Sequence, residues 1–155
     1  MPARPPLTLR NRALGLLARR EHSRVELRRK LAPKVEEGDD LESLLDDLVQ
    51  RGWLSDQRFV EQTVRAKARR MGAARIAHDL RGKGVDEDLI AAGVAAARSG
   101  EADSLKGVWM RRFGKAPEGA AEKARQVRFL QARGFSLEAI LRLLRGERGR
   151  NPFLR

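Results

Sequence analysis

Apolar residues recur through most of this chain at intervals of three and four, which places them along one face of successive α-helices. One predicted helix is marked by leucines that share a face: Leu41, Leu44, Leu45 and Leu48. It ends at Gly52, a residue type that adopts the positive φ of a helix C-terminus at little cost. Ser55 then supplies an N-cap, and Leu54 and Phe59 stand at the spacing of a hydrophobic staple. The pattern therefore predicts a tight corner between two helices.

A segment near the C-terminal end of the chain repeats one in the middle. The residues that match at a constant offset of fifty are Leu80, Gly84, Val85 and Ile90 with Leu130, Gly134, Phe135 and Ile140. In each copy a capping residue follows, Asp86 in one and Ser136 in the other. An earlier pair of leucines, Leu27 and Leu31, aligns with Ile76 and Leu80 at an offset of forty-nine. A period of this length is typical of tandem helical units that bury a continuous core between neighbours.

The sequence thus predicts an all-α protein of three tandem three-helix repeats. We place the repeats at residues 9–54, 55–98 and 99–147. A flexible, basic and Pro-rich tail precedes them at 1–8, and a second basic tail follows at 148–155.

Local signals set the ends of several helices in the first two repeats. Ser23 and Glu26 have the spacing of a capping box, and Pro33 limits the helix that they open. The helix that begins at Ser55 is predicted to continue to Gly72, where the next glycine stands.

Composition narrows the classes of function. The 155 residues include 33 Lys and Arg, 21 Asp and Glu, and no Cys, so the net charge is +12. Disulfides, thiolate metal sites and thiol nucleophiles are excluded. No apolar run has the length of a signal peptide or a membrane span, so we expect a cytoplasmic protein without a membrane partner. The excess of positive charge favours polyanionic partners, either nucleic acid or an acidic protein surface.

We find no catalytic, cofactor-binding or metal-binding motif in the sequence. The histidines, His22 and His78, lack acidic neighbours at metal-ligand spacing, and we expect them on the surface or partly buried. The Gly82-Lys83-Gly84 segment lacks the spacing of a phosphate loop, and the paired aspartates lack a calcium-loop pattern. Trp53 and Trp109 suit base stacking, but packing in the core explains both better.

Basic residues are the candidates for binding. On the helix opened by Ser55, the spacing places Arg58, Gln62, Arg65 and Arg69 on one face. A second set follows matched leucines by three residues, so the repeats present a row of cations along one edge: Lys34, Lys83 and Arg133. For any single basic residue in these sets, a position on a solvated helix face explains its presence equally well. The complete set of candidate partner-binding or DNA-binding residues is Arg24, Arg28, Lys34, Arg58, Arg65, Arg69, Arg75, Lys83, Arg125 and Arg133.

Five segments in this order resemble the RecX family of recombination regulators. They are Ser23-Arg24-x-Glu26-Leu27-x-x-Lys30-Leu31, Gly52-Trp53-Leu54-Ser55-Asp56-x-Arg58-Phe59-Val60, Val64-Arg65, Arg75-Ile76-x-x-x-Leu80-x-x-Lys83-Gly84-Val85 and Phe129-Leu130-x-x-Arg133-Gly134-Phe135-Ser136. The resemblance covers about residues 9–146. The chain departs from the family pattern at Val35-Glu36-Glu37, where the other repeats close the second helix with a cation and a glycine.

The resemblance implies an elongated, curved monomer that is not an enzyme. It also implies a regulator of homologous recombination, DNA repair and the SOS response. Such a protein binds the RecA filament on single- or double-stranded DNA and restrains its ATP hydrolysis, strand exchange and coprotease activity. Two alternatives remain open from the residues alone. One is a direct DNA-binding protein built of helix-turn-helix-like bundles, for which the charge and the short corners suffice. The other is a purely structural helical scaffold.

Overall fold

A computed structural model describes residues 1–3 and 6–149 of the chain, with the backbone alone described at 148 and 149. Those residues form nine α-helices and one short 3-10 helix, with no β-strand, which confirms the all-α prediction. The elements are α1 (Leu9–Arg19), α2 (Arg24–Leu31), the 3-10 helix (Ala32–Lys34), α3 (Leu41–Gln50), α4 (Asp56–Lys67), α5 (Ala73–Gly82), α6 (Glu87–Ser99), α7 (Glu101–Arg112), α8 (Gly119–Ala132) and α9 (Leu137–Gly149).

Each group of three consecutive helices buries its own apolar cluster. The first cluster consists of Leu9, Ala13, Leu27, Leu31, Leu45, Leu48 and Leu54. The second consists of Phe59, Val60, Ala73, Ile76, Ala77, Leu80, Val85, Ile90 and Val94. The third consists of Leu105, Val108, Trp109, Leu130, Phe135, Ile140 and Leu144. The prediction of a continuous core, made from the repeat period, is therefore wrong for these residues. They form three separate clusters instead.

Separate clusters leave the molecule with a large surface. The chain exposes 10556 Å², whereas a compact protein of this mass exposes roughly 7,900 Å². The excess agrees with an elongated arrangement of three small bundles in tandem and with exposed N-terminal residues such as Met1 and Leu7. The curvature of the molecule stays a prediction, and so do the flexible tails at residues 1–8 and 148–155. Residues 4, 5 and 150–155 lie outside the described part, although α9 extends through residue 149.

The predicted corner between α3 and α4 is confirmed. Gly52 has a φ of 76°, and the Ser55 side chain accepts a hydrogen bond from the Arg58 amide at 3.2 Å. Leu54 and Phe59, the two staple residues, are both buried. The same device recurs where Asp86 and Ser136 cap α6 and α9.

Two predictions about this region are wrong. The helix that begins after Ser55 ends at Lys67 instead of Gly72, because the Lys67 carbonyl accepts from the amides of residues 70 and 71 in a turn. Trp53 does not pack in the core and is 45% exposed. Leu54 takes the buried position instead, whereas the indole of Trp53 lies beneath the guanidinium groups of Arg10 and Arg51. Trp109 is buried as expected.

The first and second groups meet through a contact that we call the first junction. The Ser23 hydroxyl, at the N-cap of α2, donates to the Lys83 carbonyl at the end of α5 at 2.6 Å. The first amide of α2, on Arg24, donates to the Asp56 carboxylate at 2.7 Å. A Cβ at Gly84 would lie 2.5 Å from the Val25 side chain. The N-terminus of α2 therefore rests against the C-terminal turn of α5.

The second junction repeats this arrangement between the second and third groups. The Gly72 amide, at the N-cap of α5, donates to the Arg133 carbonyl at the end of α8 at 2.8 Å. The first amide of α5, on Ala73, donates to the Glu101 carboxylate at 3.0 Å. A Cβ at Gly134 would meet Arg75 as closely as a Cβ at Gly84 would meet Val25. At both junctions, a positive helix N-terminus meets the carbonyl-bearing end of the next middle helix and a carboxylate, which helix dipoles favour.

Candidate polyanion-binding surface

In the first group, the predicted cations on α2 are held by acidic residues of α3. Arg24 donates to Asp46 at 2.6 Å and to Glu42 at 3.1 Å, and Arg28 donates to Glu42 at 2.6 Å. These bonds from Arg28 and Arg24 hold the pKa of Glu42 below its ordinary value. Both guanidinium groups are thus already paired within the molecule.

Lys83, predicted to belong to an exposed row of cations, is bound at the first junction. Its ammonium lies 3.2 Å from the carboxylate of Glu26, whose side chain is 5% exposed. Arg20 contacts the same carboxylate at 2.6 Å, and Lys30 lies 3.9 Å away. Burial raises the pKa of Glu26, but the hydrogen bonds from Arg20 and Lys83 outweigh burial and lower the pKa to about 2. The carboxylate of Glu26 therefore binds these cations. Its backbone amide donates to the Ser23 hydroxyl, as the capping box predicts.

His22 lies beside this cluster and is buried, contrary to the expected surface or partly buried position. Its Nε2 lies 3.1 Å from the Lys30 ammonium and its Nδ1 lies 3.1 Å from the Arg20 carbonyl. An ammonium only donates, so Nε2 accepts and Nδ1 carries the proton. Burial is the main cause that lowers the pKa of His22. The imidazole is therefore held neutral by its surroundings.

The predicted stripe on α4 divides into bound and unbound members. Arg58 pairs with Glu21 at 2.9 Å and donates to the Gly52 carbonyl at 2.6 Å. Arg65 is exposed on α4, and Arg69 is exposed in the turn after it. Neither forms an ion pair with the described residues.

Two further candidates outside the stripe also differ in their pairing. Arg75 pairs with Asp79 at 3.3 Å. Lys34 is exposed in the 3-10 helix and has no ion pair within the described part of the chain.

The third group brings Arg125 and Arg133 together in a cluster that the sequence did not reveal. Phe113 and Phe129 pack edge to face with their centroids 5.4 Å apart. The Arg125 guanidinium lies 5.3 Å from the Phe113 centroid, and that of Arg133 lies 5.1 Å from the Phe129 centroid. Arg112 reaches both rings, at 5.5 and 5.3 Å. We call these five residues the arginine cage.

The arginine cage lies in a strongly basic segment. Residues 105–135 contain eight Lys and Arg but only two Asp and Glu. Sequence reasoning selected neither Phe113 nor Arg112 as a candidate. The available signal was the run of two arginines directly before that phenylalanine, since basic residues interleaved with aromatic ones are common in nucleic-acid interfaces.

Other kinds of site find no support in the described residues. Within ranges 1–3 and 6–149, no group of three His, Asp or Glu side chains is arranged to hold a metal ion. None of the helices described is both long and apolar enough to span a membrane. The exposed cations and the arginine cage are therefore the features from which a function can be argued.

Family models match each group of helices in order. The matches are RecX, first three-helix domain, at residues 10–48, RecX, second three-helix domain, at 55–94, and RecX, third three-helix domain, at 100–144. They confirm three tandem three-helix units.

Curated relatives match nearly the whole chain. Regulatory protein RecX of Ralstonia nicotianae is 48% identical over 143 residues, covering 92% of this chain and 90% of the relative. Regulatory protein RecX of Pseudomonas syringae pv. tomato is 41% identical over 146 residues, covering 93% and 94%.

Solved structures share the fold. The crystal structure of RecX from Lactobacillus salivarius superposes with a TM-score of 0.75 at 18% identity, covering 89% of this chain and 93% of that one. A second crystal structure of regulatory protein RecX gives 0.76 at 21% identity, covering 90% and 72%.

Proposed function

Since this chain belongs to the RecX family, we propose that it regulates homologous recombination and DNA repair by binding the RecA filament assembled on DNA. The observation that carries the proposal is the ordered match of three RecX domains between residues 10 and 144. The curated relatives are named regulatory proteins, and we propose a regulator without catalytic activity of its own.

The elongated surface suits a partner that is itself a filament. Arg65 and Arg69 are exposed cations of the second group, and Arg133 of the arginine cage ends α8 at the second junction. A filament on DNA presents phosphates and acidic protein groups along its length, and exposed cations are attracted to both. One elongated molecule is therefore able to contact several recombinase protomers as a monomer.

Regulation requires that this protein prefer one state of the filament. A ligand shifts a conformational equilibrium only by its difference in affinity for the two states. We propose that it binds the state that turns over ATP slowly, which restrains ATP hydrolysis, strand exchange and coprotease activity together. Because one molecule contacts several protomers, inhibition is expected below equimolar ratios.

The test is the rate of ATP hydrolysis by RecA on single-stranded DNA. We expect wild-type protein to slow hydrolysis at substoichiometric concentrations, and the double variant Arg65→Glu/Arg69→Glu to require about ten times more protein, because each reversal opposes binding to an anionic surface. Arg19→Glu/Arg98→Glu is the matched control, since both arginines are exposed and neither has an ion pair among the described residues. No slowing by wild-type protein at any ratio would refute the proposal.

The second candidate function is direct binding of DNA, which the arginine cage favours. Binding to the RecA filament and direct binding to DNA are distinguished by repeating the ATP hydrolysis assay with excess single-stranded DNA. If inhibition arises by competition for DNA, the excess restores the rate of hydrolysis. If the protein binds the filament itself, inhibition persists until the added DNA removes RecA from the filament.

A further inference from the structure

The arginine cage holds all three of its guanidinium groups against aromatic rings. The three groups lie 5.1 to 5.5 Å from the centroids of Phe113 and Phe129. A ring face attracts a cation through its quadrupole, but it has no net charge. Contact with a ring thus positions an arginine without neutralising it, and N–H groups along a guanidinium edge that meets no carboxylate stay available as donors.

Three candidate arginines of the first two groups are held in a different way. Arg24, Arg28 and Arg58 each donate to a carboxylate at 2.6 to 2.9 Å. In the arginine cage, Arg125 alone is paired, with Glu122 at 2.9 Å, as far as the described residues show. Arg112 and Arg133 have no ion pair with those residues. Two uncompensated guanidinium groups therefore share one aromatic support.

The aromatic support is fixed by the fold. Phe113 and Phe129 are half-buried and pack against the third apolar cluster. Their edge-to-face contact limits the rotation of both rings. Guanidinium groups that rest on fixed rings have lost part of their side-chain entropy before any ligand arrives, so binding costs less. Lys115, which has no ion pair with the described residues, lines the same depression as Arg112, Phe113 and Arg125, together with Glu118 and Glu122.

We propose that the arginine cage binds the phosphodiester backbone of a nucleic acid. Phosphate oxygens accept paired hydrogen bonds from a guanidinium edge, and a strand presents them at regular intervals. The rings are occupied by guanidinium groups, so bases do not stack there and binding is independent of sequence. The inference deepens the proposed function by naming the part that touches DNA. It depends on the proposed function in one respect, which is that the protein acts where DNA is present.

The experiment measures binding of a labelled oligothymidylate by fluorescence anisotropy over a range of salt concentrations, without RecA. For Arg112→Ala/Arg133→Ala we expect the slope of log K against log salt to fall in magnitude by about 1.4, because each phosphate contact on a single strand contributes about 0.7. Arg19→Ala/Arg98→Ala removes the same charge elsewhere and is expected to leave the slope unchanged. Equal slopes for the two double variants overturn the inference.

A second variant tests the role of the rings and does not depend on charge. Phe113→Leu/Phe129→Leu keeps every cation, so the slope should stay at the wild-type value while affinity falls about three- to tenfold. Circular dichroism checks that both cage variants remain folded. Unchanged affinity in a folded Phe113→Leu/Phe129→Leu protein rejects positioning by the rings. A duplex of the same length, measured in parallel, shows whether the bound backbone belongs to one strand or two.

The inference and the proposed function fail in distinguishable ways. If wild-type protein slows RecA but the cage variants bind the oligonucleotide with the wild-type slope and affinity, the arginine cage is rejected and the proposed function stands. If Arg112→Ala/Arg133→Ala lowers the slope and Phe113→Leu/Phe129→Leu lowers the affinity as predicted, but wild-type protein leaves RecA unaffected, the arginine cage is supported and the proposed function is rejected.

Discussion

Replacing Gly134 with alanine is expected to lower the free energy of unfolding by about 2 to 5 kcal/mol. Gly134 has a φ of 90°, where a side chain strains the backbone, and a Cβ there would lie 2.5 Å from the backbone nitrogen of Arg75. The second junction cannot close around the added atom, because the atom it meets belongs to the main chain. Urea denaturation measures the loss. We also expect a less cooperative transition, since units that only contact their neighbours uncouple when one interface fails.

Gly82→Ala is the control for Gly134→Ala. Gly82 ends α5, has no atom within 4 Å of an added Cβ, and does not have a positive φ. The corresponding residue of α8 is Ala132. Alanine at position 82 is therefore expected to raise the free energy of unfolding by about 0.5 to 1 kcal/mol. Similar effects of the two substitutions would contradict the close approach at the second junction.

Glu26→Gln is expected to lower the free energy of unfolding by about 2 to 3 kcal/mol at neutral pH. The carboxylate is buried among cations, and its pKa falls from 4.5 to about 2 in the folded protein. The full difference between the unfolded and folded pKa corresponds to roughly 3 kcal/mol of stability. Solvent screening reduces this contribution, because the Arg20 and Lys83 side chains are 43% and 47% exposed. Urea midpoints for wild type and variant measure the effect.

The contribution of Glu26 depends on pH in a defined direction. The folded pKa lies below the unfolded one, so the stabilisation is fully present above about pH 4.5 and is lost as the pH falls through about 2. The difference between wild type and Glu26→Gln should therefore shrink across that range. His22 also makes the folded state less stable as the pH falls, but at higher pH. Because its pKa is lowered in the folded protein, the unfolded state binds the proton more readily once the pH drops below 6.5.

Glu138→Gln is the control for the role of burial. Glu138 pairs with Arg142 at 2.9 Å, but both side chains are exposed. Its removal is expected to change the free energy of unfolding by less than about 0.5 kcal/mol. An equal loss for Glu26→Gln and Glu138→Gln would show that the buried cluster at the first junction has no special role.

Local chemistry made the helices and most of their ends predictable. Ser55, Asp86 and Ser136 cap the helices that follow them, because a capping side chain bonds to an amide only two or three residues away. Trp53 was assigned wrongly because two consecutive apolar residues follow Gly52. Only the packing of the first cluster decides that Leu54 is the buried one.

The availability of the candidate cations was much less predictable. Sequence spacing treats Lys83 and Arg133 as equivalent, and both do end a middle helix. Lys83 meets the buried Glu26, whereas the position corresponding to Glu26 at the second junction is Arg75. Arg133 therefore forms no ion pair with the described residues, and it lies over Phe129.

The sequence by itself determined the helical class, the threefold repetition, the caps and the family, because these depend on residue types at short or regular spacing. Only the tertiary structure decided which cations are neutralised and which are free. Glu26 and Lys83 are 57 residues apart, and their contact depends on how the first junction packs. The cage residues Phe113 and Phe129 likewise belong to different segments of the third group. Charge is a property of each residue, but its availability to a partner is a property of the packing around it.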